Sequence, residues 1–194
     1  MDSSARDFDD LAQVHELNRL FLNFLKARAE NRSDCLGLAA RAVTALRSAP
    51  SKIIDVLAEF PRALFQLRLH PSPSPKVMDS GLAMADPSHL GLHLTILHSA
   101  WDFSRRSSYE ARLYFGLTSV DVSELNATPL SELPCLALVP DLIGCAFPDS
   151  DWLWHELLTE TRPENRRQLL LVGLQPVLAL HWPVERTSRR RSTA

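Results

Sequence analysis

The sequence is poor in the residues that build cross-linked, membrane-spanning or strongly basic proteins. Its three cysteines form no C-x-x-C pair, which argues against a disulfide framework and against a structural zinc site. The longest apolar stretch is too short to cross a bilayer, and the acidic N-terminus MDSSARDFDD lacks the apolar core of a signal peptide. A net charge of -2 provides no global field that would attract nucleic acid. We therefore expect a cytoplasmic protein without membrane contact.

Glycine is also scarce, while leucine is common and period-two alternation is rare, so the composition favours an all-α fold. Segment 10–30 carries apolar residues at helical spacings, which predict an amphipathic helix. These residues are Leu11, Val14, Leu17, Phe21, Phe24 and Leu25. Shorter helices are predicted at 38–46 and 51–60, followed by a strand or an extended segment at 63–69. The next residues, HPSPSPK, predict a linker because proline can continue neither element.

The sequence repeats itself at an offset of 79 residues without a gap. The repeat aligns one glycine and two prolines: Gly37 with Gly116, Pro50 with Pro129, and Pro61 with Pro140. Chance similarity of leucine-rich helices would not place all three in register, so we interpret the repeat as a structural duplication. The predicted organisation is a first repeat at 1–69, a Pro/Ser-rich linker at 70–86, a second repeat at 87–147, and a C-terminal helical extension with a basic tail at 148–194.

The duplication predicts the elements of the second repeat. These are a long helix at 87–106, short helices at 117–126 and 129–139, and an extended segment at 142–147. Pro134 lacks an amide hydrogen for the helical ladder, so a distortion is expected in the third helix. The C-terminal extension contains WLWHELL and a predicted helix at 166–174.

Motifs for catalysis or cofactor binding are missing from the sequence, including the P-loop, G-x-G-x-x-G, G-x-S-x-G and H-E-x-x-H. His89 and His93 are four residues apart on a predicted helix and could share a metal, but no carboxylate or cysteine nearby completes the site. Cys135 is interpreted as a small core residue, and Cys145 as a candidate exposed thiol without a cation beside it. We predict no catalytic, cofactor-binding or metal-binding residue, and we expect that the protein is not an enzyme.

The paired short helices superficially resemble a DNA-reading helix-turn-helix. The candidate reading helices, SKIIDVLAEF and LSELPCLALV, carry one lysine against several carboxylates, so neither suits a phosphate backbone. Basic charge is instead concentrated at the C-terminal end, in Arg186, Arg189, Arg190 and Arg191. This tail predicts either salt-sensitive phosphate contacts or a solvated chain end.

One stretch of the sequence resembles a known family. The motifs are LNRLFLNFLKARA, then CLGL, an ungapped run through Leu46, the Leu-Ala-Glu triplet at 57–59 and the ending LFQLRL. Together they make segment 17–69 resemble the FlhD family of bacterial flagellar transcriptional activators. The second repeat, from ARLYFGL to LIGCAF, resembles the same region more weakly.

The resemblance implies a helical dimerisation module and a role in activating flagellar genes together with an FlhC-type subunit. In that family FlhC carries the zinc-binding cysteines and much of the DNA contact, whereas the chain's two tandem copies lack a recognisable DNA-binding portion. The resemblance therefore implies an intramolecular pseudo-dimer or a homodimer that reaches DNA through its partner and holds no cofactor. Its expected module core consists of Leu17, Phe24, Leu38, Leu46, Leu57, Leu117, Leu125 and Leu136. The alternative is a helical protein–protein adaptor without a role at DNA.

Overall fold

The computed structural model describes residues 3–31, 33–69, 87–139, 141–147 and 150–160, together with residues 165, 168–169 and 171–172. The described chain is mainly helical and contains one small antiparallel sheet. Its elements are α1 (Ser3–Glu30), α2 (Ala40–Ser48), α3 (Ser51–Ala58), β1 (Phe65–Leu67), α4 (Pro87–Arg106), α5 (Ser108–Phe115), α6 (Ser119–Ala127), a 3-10 turn (Leu130–Glu132), α7 (Leu133–Ala137), β2 (Ile143–Cys145) and α8 (Asp151–Thr159). None of the described helices is both long and apolar enough to traverse a membrane.

The longest helix, α1, begins at Ser3 and so extends the predicted helix toward the N-terminus. Val14, Leu17, Phe21 and Leu25 recur at intervals of three or four residues and are buried. This spacing places them on one side of the helix, where they face the shorter helices α2 and α3. Arg28 lies in the last turn, where a cation complements the carbonyl end of the helix.

The elements of the two repeats correspond at the offset of 79 residues. The bounds of α2, Ala40–Ser48, fall on those of α6, Ser119–Ala127. Gly37 and Gly116 precede these two helices, and both have positive φ angles, +81° and +66°. Glycine adopts this left-handed backbone without the strain that a Cβ atom would cause. The aligned glycines therefore share one backbone requirement.

The third helix of each repeat shows the effect of one proline. In the first repeat it is a single helix, α3. In the second repeat the corresponding residues form the 3-10 turn Leu130–Glu132 followed by α7, with Pro134 in the first turn of α7. Proline is tolerated in a first turn because those amides have no intrahelical acceptor. The distortion predicted at Pro134 is thus a break between two short helical pieces.

Helix α5 has no counterpart in the first repeat and was not predicted. The Ser107 hydroxyl accepts a hydrogen bond from the Glu110 amide at 3.3 Å and caps the helix. Ser107 and Glu110 form the S-x-x-E pattern of a capping box, which is the sequence signal for this helix start.

The two strands lie inside the segments expected to be extended, 63–69 and 142–147. They pair with each other as the only strands among the described residues, so the all-α class holds apart from this ribbon. One hydrophobic core includes residues of both repeats and of α8. The linker at 70–86 and the basic tail lie outside the described residues, and only four residues of the predicted 166–174 helix are described, all helical.

Candidate functional site

The two repeats meet at the β1–β2 ribbon. Phe65 pairs with Cys145, and Gln66 pairs with Gly144. At the repeat offset Phe65 corresponds to Gly144 and Gln66 to Cys145, so each of these two residues pairs with the counterpart of the other. Antiparallel pairing of equivalent strands produces a local two-fold axis between them. The two strands are therefore related as equivalent strands of a symmetric dimer are.

Main-chain hydrogen bonds extend the contact beyond the ribbon. The Ala146 amide donates to the Leu64 carbonyl at 2.9 Å, and the Arg68 amide donates to the Leu142 carbonyl at 2.8 Å. The Ala63 amide donates to the carbonyl of Tyr114 in α5 at 2.7 Å. These bonds satisfy backbone groups that would otherwise be buried without partners.

Aromatic rings from both repeats pack against each other, so the hydrophobic core is continuous between the repeats. The Phe65 ring lies 5.5 Å from Phe21 of its own repeat and 6.0 Å from Phe115 of the other. Phe115 in turn lies 5.1 Å from Phe103, edge to face. Such pairs contribute about 0.5–1.5 kcal/mol each beyond their buried area. The boundary between the repeats is therefore packed like a domain interior.

A charged contact joins the two long helices at the edge of this core. Arg106 of α4 donates from Nη1 to Asp10 Oδ1 of α1 at 2.7 Å, and its Nε lies 2.9 Å from Asp102 Oδ2. Asp10 is only 6% exposed, so its carboxylate depends on this partner. The pair links residues 96 positions apart and helps to orient the repeats.

A buried amide organises the segment that leads into β1. Asn18 of α1 is fully buried, and its Nδ2 lies within hydrogen-bond distance of the carbonyls of Ala58, Phe60 and Arg62, at 3.3, 3.2 and 2.9 Å. Its Oδ1 accepts from the Leu64 amide at 2.8 Å. One side chain thus satisfies the polar backbone between α3 and β1 and fixes the direction of the strand.

A buried cation lies beside this segment. Arg62 is 9% exposed, and its guanidinium lies near Gly116 at the C-terminus of α5 and 5.3 Å from the centre of the Phe147 ring. The partial negative charge of the helix end and the ring face both favour a cation there. Burial nevertheless lowers the pKa of Arg62 to about 10.

The expected module-core residues lie in or against the core. Leu17, Leu46, Leu57, Leu117 and Leu125 are at most 4% exposed. The other three, Phe24, Leu38 and Leu136, are partly buried against the same cluster.

The histidine pair is held by protein contacts. His93 lies with Nδ1 3.0 Å from the Ala137 carbonyl oxygen, and His89 contacts the Arg28 guanidinium and the Phe24 ring. Because the Arg28 guanidinium is positively charged, it would repel a metal ion bound at His89. Within the described part of the chain, no three potential metal ligands cluster.

The expectations for two cysteines were wrong. Cys135 is exposed, because Leu133 and Ala137 take the inward positions of α7. Cys145 is buried, and its Sγ lies 3.6 Å from the Cys35 carbonyl oxygen in the other repeat. Burial raises the pKa of the Cys145 thiol to about 12, so this thiol is unreactive near neutral pH.

Helix α8 covers one face of the first repeat. It packs against α2 and α3, and the Trp154 indole nitrogen donates to the Ala146 carbonyl at 2.7 Å. Three positions in α2 and α3 and one position between the two helices are buried, while their counterparts in the second repeat are partly exposed. The buried residues are Ala42, Ala45, Ala49 and Leu57.

The corresponding face of the second repeat is an open cavity of about 290 Å³. We name it the α6–α7 groove; its lining residues are Leu69, Glu124, Leu125, Ala127, Thr128, Glu132 and Leu136. Three of them, Glu124, Thr128 and Leu136, are the counterparts of Ala45, Ala49 and Leu57, which are buried in the first repeat. These three positions therefore line a cavity in the second repeat, whereas their counterparts are buried in the first.

A second cavity of about 590 Å³ lies between α4 and α7. At the equivalent place in the first repeat, Arg19 and Asp55 form an ion pair with a 3.4 Å separation. Their counterparts in the second repeat are His98 and Pro134, which cannot form that bridge. Apolar residues therefore remain accessible there, and Leu130 is 54% exposed.

The second repeat exposes three apolar residues where the first repeat has polar ones. Val120, Leu130 and Leu138 are each more than half exposed, whereas their counterparts in the first repeat are the polar residues Arg41, Ser51 and Glu59. Isolated exposed apolar residues are ordinary, but Leu130 lines the larger cavity and adds to the apolar surface there.

Sequence reasoning missed Asn18, Arg62 and α8 as organisers of this site. Asn18 lies on an otherwise apolar face of α1, at a position where an apolar core residue is expected. A polar residue at such a position indicates a buried side chain with hydrogen-bond partners, and this was the signal in the sequence. No sequence pattern near Arg62 indicates a buried cation, because the groups that surround it, Gly116 and Phe147, belong to the other repeat. The predicted arginine tail at 186–191 lies outside the described residues. A comparison of the chain with protein-family models, curated proteins and solved structures found no match.

Proposed function

We propose that the protein is a transcriptional regulator of the FlhD type. It would activate flagellar genes through an FlhC-type partner, with DNA contact mainly through that partner. The observation that carries the proposal is the pairing of two corresponding repeats across one ribbon. The resembled family has a dimerisation module in this position, and here two such segments share one chain and one core.

The fusion supports a role as a preassembled unit. A short linker raises the effective concentration of one repeat for the other to about the millimolar range. Ribbon, aromatic and Asp10–Arg106 contacts then hold the repeats together without a second chain. The cavities on the second repeat would then serve a different protein.

The charges of α3 and of its counterpart in the second repeat support indirect DNA contact. On α3 the single cation Lys52 is followed by Asp55, and the corresponding 3-10 turn of the second repeat carries Glu132. Neither segment carries the net positive charge that would neutralise a phosphate backbone. DNA contact is therefore assigned to the partner.

A partner-dependence experiment tests this function. The purified chain is mixed with a purified FlhC-type protein, and complex formation is measured by pull-down. Binding to labelled flagellar promoter DNA is then measured with each protein alone and with both, using scrambled DNA of equal length as the control. Promoter binding that needs both proteins is expected. Failure to form the complex would contradict the proposal.

The apolar cavities on the second repeat favour one alternative, a helical adaptor that binds proteins and has no role at DNA. The same experiment separates the two functions. An adaptor would form a protein complex without changing the affinity of the partner for the promoter.

A further inference from the structure

We infer that the guanidinium of Arg62 binds a small oxyanion, a phosphate or carboxylate group, that reaches it from solvent. Arg62, Gly116 and Phe147 form the site, which we name the Arg62 cradle. The inference goes beyond the proposed function, because it requires neither the FlhC-type partner nor DNA.

Within the described part of the chain, Arg62 is a buried cation without a carboxylate partner. It is 9% exposed, and its Nε is buried without a hydrogen-bond partner. Burial lowers its pKa to about 10, and no charged group of the described residues raises or lowers it further. The guanidinium therefore keeps its charge at neutral pH. A buried charge without a partner is costly, and a bound water or ion commonly satisfies such a group in native proteins.

Backbone hydrogen bonds hold Arg62 in a fixed position. Its carbonyl accepts from Asn18 Nδ2 at 2.9 Å, and the amide of the next residue, Ala63, donates to the Tyr114 carbonyl at 2.7 Å. Asn18 belongs to α1 and Tyr114 to α5, so both repeats fix the chain at the arginine. A site that is positioned before binding loses little conformational freedom when a ligand enters.

Two residues of the second repeat form the walls of the cradle. The guanidinium lies so close to Gly116 that a Cβ atom there would overlap Nη2, and Cζ lies 5.3 Å from the centre of the Phe147 ring. Phe147 has a φ of +57°, and its ring packs edge to face against Phe60 at 6.2 Å. The left-handed conformation is unfavourable for phenylalanine, and strain of this kind is concentrated at functional sites.

Comparison of the repeats shows that the shared fold does not require this cation. The counterpart of Arg62 is Asp141, which is exposed. Gly37, the counterpart of Gly116, has open space where a Cβ atom would project. The two repeats therefore share the left-handed glycine but not the buried arginine.

The guanidinium determines the class of ligand. Its planar N–H donors match the oxygens of a carboxylate or phosphate, and such charge-assisted hydrogen bonds are stronger than neutral ones. Access is narrow, because Nε is buried and Nη2 lies against Gly116. The ligand is therefore a small ion or a single carboxylate or phosphate group.

Titration calorimetry of the full-length chain with inorganic phosphate tests the inference, with chloride keeping the ionic strength constant. One saturable site is expected. Arg62→Met should weaken phosphate binding at least about tenfold, because methionine fills the space without the charge. The control Arg41→Met removes the same charge at an exposed position of the first repeat and should leave the affinity unchanged. No saturable binding to the wild type, or an equal loss in both variants, would overturn the inference.

Two glycine variants locate the site without changing the net charge. Gly116→Ala places a Cβ atom where the guanidinium lies and should also weaken phosphate binding at least about tenfold. Gly37→Ala imposes the same left-handed strain in open space and should bind phosphate as the wild type does. Circular dichroism establishes which variants are folded. Equal phosphate affinities of the two folded alanine variants would reject the cradle.

Acetate, titrated in place of phosphate, distinguishes the two sources of the oxyanion. If acetate also binds, the cradle accepts carboxylates such as an acidic side chain of a partner. If phosphate alone binds, the ligand is a phosphoryl group. Either result supports the inference, and binding of neither anion overturns it.

The chain's own carboxylates are tested in the same titration. The acidic residues outside the described part of the chain, beginning with Asp149 near Phe147 in the sequence, are replaced one at a time with the corresponding amides. The phosphate affinity should stay the same in each variant. Phosphate binding that appears only in one of them would identify that carboxylate as the occupant and overturn the inference. Since no titration contains the FlhC-type partner or DNA, a negative promoter experiment leaves this result independent.

Discussion

At the scale of single residues, Asn18 has an importance that its exposed neighbours on α1 lack. Replacing it with leucine, the residue at its counterpart Leu97, would leave three carbonyls and the Leu64 amide without their partner. We expect Asn18→Leu to lower the free energy of unfolding by about 3 kcal/mol. Urea unfolding of the purified chain measures this change.

Asn23 provides the control for Asn18, because it lies on the same helix and is exposed. Asn23→Leu should change the free energy of unfolding by no more than about 0.5 kcal/mol. Equal effects of the two substitutions would mean that the buried hydrogen bonds contribute nothing specific.

Cys145 predicts a pH dependence of stability. Its pKa rises from the ordinary 9.0 to about 12 in the folded protein because the thiol is buried. A group with a raised pKa stabilises the fold below its unfolded pKa and loses that contribution as the pH rises through the folded value. Between pH 9 and 12 the unfolded chain therefore ionises first, and stability falls.

The measurement compares wild type with Cys145→Ala. Urea midpoints at several alkaline pH values should decline less steeply in the variant, since other titrating groups are common to both proteins. Parallel declines would show that the buried thiol does not contribute.

At the scale of elements, alanine substitutions at three glycines should change the free energy of unfolding by different amounts. Gly37 and Gly116 have positive φ angles, so alanine costs about 1–2 kcal/mol at either position. At Gly116 the new Cβ would also overlap the Arg62 guanidinium, so the cost should be larger there. Gly91 lies inside α4 with open space around it, and alanine should stabilise that helix by up to about 1 kcal/mol.

Thermal unfolding of the three alanine variants checks this order. The expected ranking of stability is Gly91→Ala first, Gly37→Ala second and Gly116→Ala last. A Gly116→Ala protein as stable as Gly37→Ala would show that Arg62 moves aside without cost.

Elements with a strong local pattern could be predicted from the sequence, and those defined by distant contacts could not. The bounds of α4 coincide with the predicted 87–106, because its apolar residues recur with helical spacing and proline begins it. The pairing of β1 with β2 joins residues far apart in sequence, and three-residue strands carry too little pattern to reveal it. The α6–α7 groove became visible only when the burial of corresponding residues in the two repeats was compared.

At the scale of the whole molecule, the contacts between the repeats predict that they stay together without the linker. A protease site inserted within residues 70–86 would allow the chain to be cut after folding. Size-exclusion chromatography with light scattering should show both fragments in one peak with the mass of a single chain, before and after cleavage.

An uncut chain without the inserted site, treated with the same protease, is the control for that experiment. Two separate fragment peaks would show that the linker, and not the ribbon and aromatic core, holds the repeats together. A dimer mass before cleavage would contradict the single-chain pseudo-dimer.

The one-sided placement of α8 has a consequence for valency. Two identical subunits would offer a pair of equal docking faces, and a bivalent protein can bridge its partners into larger assemblies. Here α8 occupies one of these faces, and among the described residues the α6–α7 groove lies on the other. A complex formed through this groove would therefore contain one partner molecule per chain.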